Sequence, residues 1–221
     1  MVEWSRVGEF TVGEEERPGT SDRNAARGPR AVRTPVGEGR GRVFVPCAYL
    51  APHGLPLPEG VAGPRLFLDP EGERLLTFLE PPEDVDGERH FRVRDADGGP
   101  VGTIRRVPPS MRLLHHTWRI DQPGRPVVEG RNEWAATAKG PDAARKLARR
   151  ALARGVGVAM SGDEGAYGFP PRKLEWVADG QRVMVSQGQQ SAAIEADWLD
   201  RRLAFTAVLL EHRFTPRKKR V

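Results

Sequence analysis

From residue 65 onward the chain alternates apolar and polar positions in short bursts, each ended by turn residues. In HFRVRD (90–95), Phe91 and Val93 alternate with Arg92 and Arg94, the period-two mark of a strand wetted on one face. ADGGP turns the chain, and VGTIRRV (101–107) returns as the hairpin partner. RLFLD (65–69) and RLLTFLE (74–80) flank a turn at Pro70-Glu71-Gly72-Glu73, and PPEDVDGE then breaks the pattern. LLHHTWRID (113–121) sets Leu114, Trp118 and Ile120 on one face; Gln122-Pro123-Gly124 turns, and RPVVEG (125–130) follows. One further short strand is expected at 156–160. RKLEWVADGQRVMVSQ (172–187) predicts a hairpin on an Asp179-Gly180 turn, with Trp176 opposite Val183 and Leu174 opposite Val185.

Two stretches follow a helical period instead. In IEADWLDRRLAFTAVLLEHRF (194–214) no Gly or Pro intervenes, and residues 203–210 carry no charge. Glu195 and Asp197 at the start, with His212 and Arg213 at the end, suit a helix macrodipole. Leu203, Phe205, Val208 and Leu209 point in different directions, so the helix is apolar all round and needs cover on every side. The uncharged run is too short for a bilayer, which takes roughly 20 residues. PDAARKLARRALARG (141–155) is different: a narrow Ala/Leu stripe with Arg145, Lys146, Arg149, Arg150 and Arg154 around it. The pattern predicts a mainly β (α+β) fold. It is a closed antiparallel barrel of about 10–12 strands, threaded by the C-terminal helix at 195–213, with the basic amphipathic helix inserted.

Composition alters this picture at the N-terminus. Residues 1–42 are rich in Gly, Arg, Glu and Pro, with few large apolar side chains beyond Trp4 and Phe10. A segment of that kind is expected to be a disordered tail, because it buries too little to offset its ordering entropy. Residues 43–64 read as a Pro-rich extended lead-in, 65–214 as the barrel domain and 215–221 as a basic tail. The formal charge of +5 makes anionic partners conceivable, although Arg is interspersed with Asp and Glu throughout. The single Cys47 excludes an internal disulfide. MVEWSRVGEF has no apolar signal region, and the expected location is the cytoplasm, with peripheral membrane attachment as a variant.

The hairpin FRVRDADGGPVGTIRR resembles a strand–turn–strand unit of the tubby C-terminal-like superfamily, which includes LURP-one-related and phospholipid scramblase-like proteins. HTWRIDQPGRPVV, LEWVADGQRVMV and the terminal WLDRRLAFTAVLL are similar to later elements of that family, so the resemblance spans about 64–214. It implies a twelve-stranded barrel threaded by a hydrophobic C-terminal helix. The helix at 141–155 departs from the plain strand series as an insertion. Family members bind phosphoinositides, other lipids or metal ions, but no stretch here matches the phosphoinositide-contacting motif or a calcium loop. No binding residue is therefore carried over.

Catalytic motifs are hard to find. His115 and His116 are adjacent in an expected strand and point to opposite faces, so they do not share a metal. GVGVAMSG (155–162) lacks the Lys and Ser/Thr of a phosphate loop, and Ser161 and Ser186 lie outside any G-x-S-x-G elbow. Cys47 has no His partner in a recognisable motif, and Glu14, Glu15, Glu16, Glu83, Asp84 and Asp86 fall in tail or loop. The one candidate site is the patch Arg145, Lys146, Arg149, Arg150 and Arg154, read either as an anion- or lipid-binding surface or as the solvated face of a packed helix. The expected function is a non-enzymatic binding module, without cofactor or metal, for an anionic phospholipid headgroup or a protein partner. An intracellular enzyme with a non-local site, or a nucleic-acid binder using the basic helix, are the alternatives. Replacing Arg145, Arg149 and Arg150 with Gln is expected to leave the melting temperature nearly unchanged, since exposed charges contribute little. If the patch is functional, co-sedimentation with anionic vesicles weakens and loses its salt dependence; unchanged binding leaves the solvated face as its role.

Overall fold

The computed structural model describes residues 2–108, 117–132, 173–187 and 190–214. Among them, thirteen strands form one antiparallel sheet. The first seven are β1 (Glu9–Arg17), β2 (Ala26–Val36), β3 (Val43–Leu50), β4 (Ala62–Phe67), β5 (Leu75–Leu79), β6 (Glu83–Val85) and β7 (Glu88–Asp95). Then come β8 (Pro100–Val107), β9 (Thr117–Asp121), β10 (Val128–Asn132), β11 (Lys173–Ala178), β12 (Gln181–Gln187) and β13 (Ser191–Ile194), followed by helix α1 (Arg201–Arg213). The order around the sheet is β5-β4-β3-β2-β1-β13-β12-β11-β10-β9-β8-β7. β5 pairs with β7, with Thr77 opposite Asp95 and Leu79 opposite Val93, and this closes a ring of twelve strands. The small β6 extends β7 beyond that seam, with Glu83 opposite His90. Closure removes most of the unpaired backbone that an open sheet presents to other chains.

The barrel starts far earlier than composition indicates. β1 and β2 lie within residues 1–42, expected to be disordered, and β3 lies within the expected lead-in; the first barrel strand begins at Glu9 rather than near residue 65. A barrel strand needs only one apolar face, and here a few small side chains suffice. Phe10, Val12, Ala31, Val32, Cys47 and Ala48 are all buried, and the ladder bonds satisfy the backbone whatever the side chains. Fully buried Arg33 joins the three strands. Its guanidinium donates to the carbonyls of Gly13, Pro29 and Phe44 and to the Glu16 carboxylate. Those bonds make the burial of a cation tolerable.

Three smaller expectations also shift. PPEDVDGE is not only a break: it contains β6 and a tight turn at Asp86-Gly87, both with positive φ. The β11–β12 hairpin does turn on Asp179-Gly180, again with positive φ at both residues, as a type I′ turn requires. A bulge after Trp176 moves the pairing by one, so Trp176 faces Met184 and Leu174 faces Ser186. The extra residue turns both Val183 and Met184 into the core, while Val185 is only half-buried. The basic helix at 141–155, the strand at 156–160, Leu114 and the tail 215–221 lie outside the described residues.

α1 begins at Arg201, six residues later than the expected 195, because Asp200 caps it: its carboxylate accepts the Arg202 backbone N–H. Glu195 and Asp197 therefore precede the helix. Ten of its thirteen residues are buried, and they lie on every side. Phe205 meets Phe10 of β1 edge-on at 4.8 Å, and Phe214, just past the helix, sits among Phe91 and Trp118 at 5.8 and 5.9 Å. Gly102 of β8 makes room for the first turn: a Cβ there would lie 2.5 Å from the Asp121 carbonyl oxygen and 2.9 Å from Leu203 Cδ1.

Urea unfolding checks these contacts. Phe205→Ala is expected to cost about 3–5 kcal/mol, through lost transfer energy and a residual cavity. Gly102→Ala, which must displace backbone as well as a leucine methyl, is expected to cost about 1–3 kcal/mol by overpacking. Deleting residues 1–42 removes two barrel strands, so an aggregating product is expected; a soluble, cooperatively folding one would return the segment to the status of a tail.

Candidate anion-binding pocket

The two ends of α1 are built differently. At the N-terminal end, the Gln122 side chain donates to the Trp198 carbonyl and accepts the Asp200 N–H, both at 2.9 Å. Buried Arg201 donates to the carbonyls of Val7, Ala196, Asp197 and Leu199. Burial pulls its pKa down from the usual value, against the pull of Asp197 and Asp200. Arg202 pairs with Asp200 and lies 5.2 Å from the Trp4 ring centroid. This end is sealed.

The C-terminal end opens into a cavity of about 850 Å³. Its walls carry Leu50, Leu55, Leu57, Leu209 and Phe214, while its polar groups include Arg30, Arg65 and Arg213, with no Asp or Glu among the lining residues. The local backbone explains how the three cations converge. The register of β4 is irregular between Ala62 and Leu66, and Gly63 there has φ +75°. That left-handed conformation excludes a side chain and admits the Arg213 guanidinium, whose Nη1 lies 3.6 Å from where a Cβ would be. Arg65, only 6% exposed, donates through Nη2 to the Leu55 carbonyl at 2.9 Å; its Nε has no hydrogen-bond partner. Arg30, reaching over from β2, donates to Gln190 at 3.1 Å. The helix C-terminus contributes partial negative charge, about half a unit. Three guanidinium groups outweigh it.

On another face the described cations are matched by carboxylates. On the outside of β5–β10, Arg92 pairs with Glu83 and Glu80, and Arg94 with Glu80. Arg105 pairs with Asp121 and Glu88, Arg119 with Glu88 and Glu129, and Arg131 with Glu129. Those partners hold Arg105 above and Glu129 below their ordinary pKa values, the side-chain hydrogen bonds to Asp121 and from Arg131 being the main causes. Cations already matched by carboxylates offer little to an external anion.

The sequence candidates divide. Arg145, Lys146, Arg149, Arg150 and Arg154, together with His115, His116 and Ser161, lie outside the described residues. Ser186 is fully buried, accepting from Trp176 Nε1 at 3.0 Å and donating to Glu211 at 2.7 Å, so it anchors the last turn of α1 to β12. Cys47 is buried with its thiol on the Val32 carbonyl. Arg30, Arg65 and Arg213 were not singled out from sequence. Arg30 stood in a segment read as tail, and nothing in the spacing of the three links them. No group of three or more His, Cys, Asp or Glu side chains among the described residues could hold a metal ion. No described helix is long and apolar enough to cross a membrane.

No family model, curated protein or solved structure matches the chain.

Burial pushes the Cys47 thiol up from the usual 9 to about 12. Since the unfolded thiol ionises first, stability falls as the pH climbs from about 9 toward 12, and below 9 the group has no such effect. Labelling with a disulfide reagent at pH 8 is expected to be negligible until the chain unfolds in denaturant; rapid labelling of the native protein would contradict this burial.

Proposed function

We propose that the chain is a non-enzymatic binding module of the tubby C-terminal-like kind, its barrel threaded by α1, and that it recognises an anion at the open end of the barrel. The resemblance of its hairpins to LURP-one-related proteins supports the class, and the burial of α1 on every side supports the threading. One observation carries the ligand reading: Arg65 is held nine-tenths buried beside two further guanidinium groups, with no carboxylate among the lining residues. Burying a cation without an ionic partner is costly, and an incoming carboxylate or phosphate would supply the partner. An exposed rim at Arg30 and Arg213 suits capture of such a group from water or from a lipid headgroup.

The full-length chain is titrated with inorganic phosphate, monomeric dodecanoate and phosphatidylserine-containing vesicles. At least one is expected to bind, more weakly as salt is added. The Arg30→Gln/Arg213→Gln double variant, altered only at exposed positions, is expected to fold normally and to lose about tenfold in affinity, the worth of one charge-assisted hydrogen bond. A chain that binds none of the three overturns the reading, and so does a double variant that binds as well as the parent.

A further inference from the structure

The cavity holds more than an anion needs. A site for a bare phosphate or for a headgroup presented by an intact bilayer is served by charge alone, and a surface patch would do. Here the cations share a space with a continuous apolar wall: Leu50, Leu55 and Leu57 on the β3–β4 side, Leu209 and Phe214 on the helix side. The 850 Å³ lies within the roughly 300–1,000 Å³ typical of pockets that enclose a small molecule.

The apolar wall is built rather than incidental. The 51–61 loop that carries Leu55 and Leu57 is fixed by two turns, Leu55 N–H to the Pro52 carbonyl and Val61 N–H to the Pro58 carbonyl. Its Leu55 carbonyl accepts from Arg65, so the same backbone group that positions the wall also orients the cation. Leu57 remains 59% exposed, the largest value among the exposed large apolar side chains. Left in water that leucine gains nothing; against an alkyl chain it would be covered. Phe214 is backed by Phe91 and Trp118 and by Arg106, whose guanidinium lies 4.7 Å from its ring centroid, so its position is set from behind.

Resting on the anion-binding reading, we infer that the ligand is a free single-chain amphiphile: one alkyl chain ending in a carboxylate or phosphate monoester. The head group takes the Arg30/Arg213 rim, with buried Arg65 contributing its charge from behind, and the chain lies along Leu57, Leu55, Leu50 and Leu209 toward Phe214. Recognition is non-covalent, and the chain lies against this wall in place of a bilayer.

Chain length is the test. The full-length protein is titrated calorimetrically with acetate, octanoate, decanoate and dodecanoate below their micelle thresholds, and with 1-dodecanol and inorganic phosphate. Affinity is expected to rise about two- to fourfold per added methylene and then to level off once the chain fills the cavity. Dodecanol, lacking the charge, is expected to bind at least tenfold more weakly than dodecanoate. Leu57→Ser, at an exposed position, is expected to reduce the gain per methylene without changing acetate or phosphate binding. If phosphate and acetate bind as tightly as dodecanoate, or if phosphatidylserine vesicles bind while free chains do not, the single-chain inference falls and the anion reading stands. If neither long nor short anions bind, both fall. Affinity that keeps rising with length, unaffected by Leu57→Ser, would mark non-specific partition onto the surface and overturn the inference.

Discussion

The structure depends on a helix that has no face to give to water. In most globular proteins a helix presents one apolar stripe and leaves the other side solvated. α1 buries Leu203 through Leu210 without interruption, along with Arg201 and Glu211 at its margins. A flat sheet covers one side of such a helix; only a sheet that curves back on itself covers all of them. The twelve-strand ring, closed at the β5–β7 seam, is a sheet of that kind. Two buried charged residues on α1 have partners: Arg201 among four carbonyls and Glu211 on Ser186. The two ends then differ as the helix itself does. Its N-terminal N–H groups are capped by Asp200 and the Gln122 clamp, whereas the C-terminal turn ends at Phe214 against a cavity.

How much of this was legible follows the strength of each local signal. The β7–β8 hairpin and the Asp179-Gly180 turn each carry a mechanism in a few neighbouring residues and stand where the pattern put them. The helix keeps its expected end but starts six residues late, at Arg201. The Trp176 bulge was invisible, because one extra residue in a strand leaves the composition and most of the alternation intact. The N-terminal strands were missed for a deeper reason. β1 and β2 contribute only a few buried apolar residues, and what holds them is pairing with distant strands and the bonds of Arg33, neither of which leaves a trace in nearby sequence. The pocket was illegible for the same cause: Arg30, Arg65 and Arg213 come from the first, middle and last parts of the chain, and only the closed ring gathers them.

Charge tells a similar story. The chain's surplus of arginine suggested a basic patch on a single helix, yet the described arginines are mostly spent on structure. Arg33 and Arg201 satisfy buried carbonyls, and the β7–β10 arginines neutralise neighbouring carboxylates. What distinguishes the pocket is the absence of carboxylates among its lining residues rather than an excess of cations over the rest of the surface.

The pairing of β1 with β13 has a consequence for how the chain comes into being. Glu9, Phe10 and Thr11 lie opposite Ala193, Ala192 and Ser191, so β1 gains this partner only once β13 has been made. At synthesis rates of about 5–20 residues per second, that delay is on the order of ten to forty seconds. Throughout it the β1–β2–β3 meander exposes a bare edge, the kind of surface on which nascent chains adhere to one another. Glu9 and the run Glu14, Glu15 and Glu16 put negative charge on β1, the strand whose edge awaits β13. Charge opposes edge-to-edge pairing, so the polar composition that reads as disorder suits a strand that must pair late.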